Sequence, residues 1–177
     1  MVDDSDIRQS IVFDAAPLIY LAKIEALDVI TEGGFIAYAP ASVLSEATRP
    51  SIAMRHPDAI VIEEQVRRGS IQSLRLDAAE QAQARDIEQR VPGLHAGECE
   101  VLALALGREI SAVIFERRAR RVSQALGVPL VDMIELLCAG TADRDLLAER
   151  TRRFARLIDM RLEDLEQLLQ LVERRVP

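Results

Sequence analysis

The sequence has no tryptophan, and only two tyrosines and four phenylalanines. A core built from it is therefore aliphatic, drawn from Leu, Ile, Val and Ala. Cysteine is equally scarce: Cys99 and Cys138 are the only two. Two thiols in apolar surroundings do not make a disulfide framework, and they fit a reducing, cytoplasmic setting. With two cysteines and two histidines, a structural zinc site is also disfavoured. No apolar run reaches the roughly 18 residues needed to cross a bilayer, so no membrane partner is expected. The opening Met1-Val2-Asp3-Asp4-Ser5-Asp6 is acidic, unlike the basic start of a secretion signal.

What is present is enough for one domain with a proper core: 177 residues, 49% of them hydrophobic. The net charge is −7 and the pI about 5.0, whereas nucleic-acid binders usually carry a basic footprint. Global charge does not decide the matter. Carboxylates gathered around a cation also make a chain acidic, and arginine is concentrated at 117–121 and 150–156.

Along the chain, strand and helix signals alternate. Ile11-Val12-Phe13 is a short β-prone run ending at Asp14, and Pro17 suits the first turn of the helix that follows. Gly33-Gly34 breaks the chain, Phe35–Ala39 reads as a second strand, and Pro40 opens a helix through Val43, Leu44 and Ala47. Residues 51–68 are expected to be helical in part. Ser70–Leu76 suits a short strand or loop, and Asp77 a helix N-cap. A buried helix begins near Gly97. Ser111–Phe115 and Val128–Val131 read as further strands, separated by a helix that Gly127 stops. The pattern predicts a mostly parallel sheet of four to five strands flanked by helices. The tail from Arg144 to Arg175 reads as two amphipathic helices, with Leu162, Leu165, Leu168, Leu169 and Val172 on one stripe. That stripe suits either the domain's own core or a dimer seam. The expected division is a domain over 8–140 and a helical extension over 141–177.

In an open α/β sheet, ligands bind beyond the C-terminal strand ends. Asp14, Glu46, Glu98, Glu116 and Asp132 all fall there on this reading. Taken singly, each has an ordinary explanation. Asp14 suits an N-cap, Glu98 is favoured by the helix dipole, and Glu46, Glu116 and Asp132 suit a solvated surface. Taken together, carboxylates sharing one edge repel each other, and a divalent cation removes that penalty. Such a site suits phosphodiester hydrolysis.

Several stretches resemble PIN-domain proteins, in particular the toxin-like branch predicted to bind nucleic acid. They are Val12–Leu27 with Asp14 inside it, Val43-Leu44-Ser45-Glu46, Gly97-Glu98-Cys99-Glu100 with its apolar helix, and Glu116–Val122 followed by Leu126-Gly127-Val128. The resemblance covers residues 11 to about 135. It implies a PIN fold, a Mg²⁺ or Mn²⁺ site, and cleavage of single-stranded RNA. It maps metal-ligating acids onto Asp14, Glu46 and Glu98. Many relatives carry two acids in the fourth block, where this chain has Phe115 and Glu116. Glu116 or Asp132 would then supply the missing carboxylate. Glu100 lies about 200° round the helix from Glu98, so the two do not share one site. Arg117, Arg120 and Arg121, with Arg118, are candidates for phosphate contact, against the plainer reading of a solvated helix face. Arg120 also suits an ion pair with the acids.

The leading expectation is thus a divalent-metal-dependent single-strand endoribonuclease. Its catalytic set is Asp14, Glu46, Glu98 and Glu116, with metal held by Asp14, Glu98 and Asp132. The toxin-like branch implies an antitoxin partner and a homodimer. The alternative is a degenerate PIN-like domain that binds RNA or a protein without cutting. A receiver-like phosphotransfer domain fits less well, because its paired acids are missing.

Overall fold

The computed structural model describes residues 9–49 and 57–175, with side chains to 172. Its centre is β1 (Gln9–Phe13), whose Ile11, Val12 and Phe13 are fully buried. A strand covered on both faces needs such an uninterrupted apolar run. It is flanked by β2 (Phe35–Pro40) on one side and β4 (Ser111–Val113) on the other. With β3 (Ile71–Leu74) the order is β3-β2-β1-β4, and every pairing is parallel. Val128–Val131, expected as a strand, contributes one bridge from Leu130 to Ala112. Its two ladder bonds are Ala112 N–H to the Pro129 carbonyl and Val131 N–H to the Ala112 carbonyl. Pro129 has no N–H to extend the ladder.

Helices connect the strands, as parallel pairing requires. α1 (Ala15–Lys23) and α2 (Val29–Glu32) lie between β1 and β2; α3 (Ala41–Thr48) and α4 (Pro57–Arg68) lie between β2 and β3. Residues 51–56, the first part of the segment expected to be partly helical, lie outside the described residues. α5 (Ala78–Arg90) and α6 (Ala96–Arg108) precede β4. Asp77 caps α5 in a full capping box with Glu80, whose carboxylate also pairs with Arg108 of α6 at 2.8 Å. α6 packs on β1, β2 and β4, with α5 against it. Its Val101–Ala105 stretch is buried throughout. α7 (Arg117–Leu126) stops at Gly127, whose φ of 73° suits glycine.

α8 (Met133–Ala139), α9 (Arg144–Leu157) and α10 (Leu162–Arg175) complete the chain. Leu147, Phe154 and Val172 join the same core as β1. On α10, Leu162 stays exposed and Leu165, Leu168 and Leu169 are half-buried.

α9 is tied down by Arg150, which is buried. Its Nη2 reaches both Asp28 carboxylate oxygens at 2.7 Å, and its Nη1 donates to Thr141 Oγ1 at 2.9 Å. Asp28 itself is half exposed, so solvent screens the pair. Arg150→Ala is expected to cost about 2 kcal/mol, a fall in Tm of about 4–8 °C in a thermal melt. An unchanged Tm would mean that the packing of Leu147 and Phe154 alone holds α9.

Candidate functional site

Three carboxylates gather where β1, α3 and α6 meet. Asp14 ends β1 and precedes α1; its backbone N–H donates to the Val113 carbonyl at 3.0 Å, which ties it to β4. Its side chain is buried, 8% exposed, and does not cap α1. Glu98 is the third residue of α6 and is also buried. One of its oxygens accepts the His95 backbone N–H at 2.7 Å, which fixes the side chain at the helix start. Glu46 lies on α3 and is exposed.

The close approach of α3 and α6 depends on Gly97. A Cβ there would stand 3.2 Å from Val43 Cγ2 and 3.9 Å from Glu46 Oε2. The missing side chain leaves room for the Glu46 carboxylate beside the start of α6.

Electrostatics report the same convergence. Burial pushes the Asp14 carboxyl up from its ordinary 3.8 to about 6. The N–H of Ala15 opposes this, the negative charges of Glu98 and Glu46 add to it, and His95 lowers it. The ionised form of Asp14 is thus disfavoured by the fold. Without metal, stability should fall as pH rises from about 4 to about 6, and stay lower above that. Asp14→Asn is expected to stabilise the metal-free protein by about 1–3 kcal/mol at pH 7.5. The gain should shrink at pH 4.5, where Asp14 is already protonated. Melts in EDTA at the two pH values check this, and an equal difference at both would contradict it.

The remaining candidates stand elsewhere. Glu116 is exposed and caps α7, accepting the backbone N–H groups of Arg118 and Ala119. Asp132 caps α8 through Oδ1, at 2.9 Å from the N–H groups of Ile134 and Glu135, and Glu135 returns the bond to the Asp132 N–H. Both carboxylates are therefore engaged by their own helices. Arg120 is half-buried and donates to the Ile114 carbonyl at 3.0 Å, closing the end of β4 rather than pairing with an acid. Arg117 and Arg121 are exposed on α7.

Phe115 meets Tyr20 of α1 edge-on at 4.9 Å between ring centroids and Phe154 of α9 at 6.0 Å. Where an acid was expected, the chain anchors its C-terminal extension. His95 also borders the acids, and its signal in the sequence is its place two residues before Gly97.

Among the described residues, no group of three or more His, Cys, Asp or Glu side chains is arranged to hold a metal ion. Asp14, Glu46 and Glu98 instead suit a hydrated hard cation, since Mg²⁺ keeps several waters and takes only one or two carboxylates directly. The repulsion that Glu98 and Glu46 add at Asp14 fits such a group.

Among the described residues, no helix is long and apolar enough to cross a membrane. Comparison with curated proteins and with solved structures gives no match. A family model described as PIN domain matches residues 10–172. That span takes in the parallel sheet, the three converging carboxylates and the helices that follow them, and the chain belongs to the PIN-domain family.

Proposed function

We propose that the protein is a divalent-metal-dependent endoribonuclease acting on single-stranded RNA. The observation that carries this reading is a buried Asp14 facing the charges of Glu46 and Glu98 at the C-terminal edge of a parallel sheet. An enzyme that places acids so unfavourably has a use for them with a cation. Asp14, Glu46 and Glu98 would hold Mg²⁺ or Mn²⁺, directly or through water. When bound, the ion supplies positive charge against the phosphate and lowers the pKa of water for hydrolysis. The chain's own part is positional. The Asp14 backbone is fixed to β4, Glu98 is held by the His95 N–H, and Glu46 enters past Gly97. Glu116 and Asp132 would have to give up their caps to join the set. Arg117 and Arg121, exposed on α7, would meet phosphates by charge alone. The exposed Leu162 and Leu171 of α10 support self-association as a homodimer, with or without an antitoxin partner.

Phe115 favours a second reading, RNA binding without cleavage, because its ring stands packed where an acid was expected. Incubating the protein with a mixed single-stranded RNA pool in Mn²⁺, Mg²⁺ or EDTA separates the two. Metal-dependent cleavage supports the nuclease. Binding without cleavage in either metal supports the degenerate scaffold.

A further inference from the structure

A concavity lies beside the three acids rather than among them. A cavity of about 470 Å³ opens where β2 and β3 end, walled by α3, α5 and α6. That is the size of a small-ligand pocket. Two elements serve both places. α3 gives Ser42 to the pocket and Glu46 to the acids, and α6 gives Glu100 to the pocket and Glu98 to the acids. The opposite directions of Glu98 and Glu100 around α6 follow from their spacing.

The lining divides into three chemistries. Leu74, Leu76 and Ala84 offer apolar surface suited to the face of a flat ring. Glu88, Glu100 and Gln81 line the pocket with polar atoms. The Gln81 amide donates one N–H to the Leu76 carbonyl at 3.0 Å, which fixes the amide and leaves its oxygen as an acceptor. Glu100 is half-buried and accepts the Ser42 hydroxyl, which holds the carboxylate in place. Arg75 and Arg85 are exposed, and neither side chain pairs with another described residue.

Two guanidiniums, Arg75 and Arg85, balance the two carboxylates of the lining, so a phosphate suits the arginines and not the Glu100 side of the pocket. That side suits a base that brings donors. Guanine alone carries two donors side by side, N1–H and the N2 amine, matching the two oxygens of a carboxylate. Adenine and cytosine offer one amine beside a bare ring nitrogen. Uracil offers one N–H between two carbonyls that a carboxylate repels. Single-stranded RNA is read in this way, by splayed bases recognised on their Watson–Crick edges.

We propose that this pocket binds one guanine of the RNA strand beside the three acids, with Glu100 reading its Watson–Crick edge and Arg75 and Arg85 contacting the flanking phosphates. The proposal rests on the nuclease reading for its strand path, but it is tested without cleavage. Fluorescence anisotropy of the full chain in EDTA would compare labelled U8 with U8 carrying one guanine. The guanine should tighten binding by about tenfold. Single adenine or cytosine substitutions should gain less. Glu100→Gln should abolish the guanine preference, because its amide N–H faces a donor. Ala41→Trp, at an exposed position of the lining, should close the pocket and reduce the guanine oligonucleotide to the U8 level. Thermal melts confirm that both variants fold.

Equal binding of the two oligonucleotides by the intact protein, or no binding of either, overturns the proposal. So does a guanine preference that survives both substitutions. The nuclease reading fails separately: guanine-selective binding with no cleavage in Mn²⁺ sinks that reading and keeps the pocket. Cleavage indifferent to guanine does the reverse.

Discussion

Asp14→Asn is expected to lower metal-dependent RNA cleavage by on the order of a hundredfold or more while the protein stays folded. The amide keeps the size and polarity of the side chain, so the tie from the Asp14 backbone to Val113 survives. What it removes is the negative charge that Glu46 and Glu98 already oppose. The same substitution should therefore remove activity and raise metal-free stability. Stability and function should pull apart at this residue, because an apo site of converging carboxylates is electrostatically unfavourable. A destabilised variant with reduced activity would instead mark Asp14 as a structural residue. Glu98→Gln should act in the same direction with less gain in stability, because a neutral amide oxygen accepts the His95 N–H more weakly than a carboxylate does.

The largest effect on stability is expected at the aromatic contact between the sheet edge and the tail. Phe154 is buried and its ring meets both Phe115 and Tyr20. Phe154→Ala should cost about 3–4 kcal/mol, lowering Tm by about 10 °C. Phe115→Asp returns an acid to the place where the resemblance expects one. It should cost about 2–3 kcal/mol and give no gain in cleavage, because a half-buried charge would replace a ring packed against Tyr20 and Phe154. Higher cleavage by Phe115→Asp, at unchanged Tm, would show that the site lacks an acid that this position can supply. Thermal melts and the cleavage assay on the same preparations distinguish the cases.

Much of this was legible in the residues. Ile11-Val12-Phe13 followed by Asp14 and Pro17 announced a buried strand feeding a helix, and that is where β1 and α1 lie. Gly97-Glu98 announced the start of a buried helix, found one residue earlier at Ala96. The cap at Asp132 is legible in its spacing. Asp132-Met133-Ile134-Glu135 has the same four-residue spacing as Asp77–Glu80, and both form capping boxes. Glu116 gave no such warning, since glutamate is not a preferred N-cap. The role of Phe115 could not be read locally. Its partners come from α1 and from α9, the latter about forty residues further on, and only the folded chain brings them together. The pocket between β3, α5 and α6 was invisible for the same reason. Arg75, Arg85, Glu88 and Glu100 share no spacing that marks them as one surface.

Asp14, Glu46 and Glu98 are expected to act together on one divalent cation. Calorimetric titration of Mn²⁺ at pH 7.5 into the intact chain, Asp14→Asn, Glu46→Gln and Glu98→Gln decides whether they do. The intact chain should bind, and each substitution should weaken binding by about tenfold or more. No binding by the intact chain, or binding that none of the three substitutions changes, would contradict it.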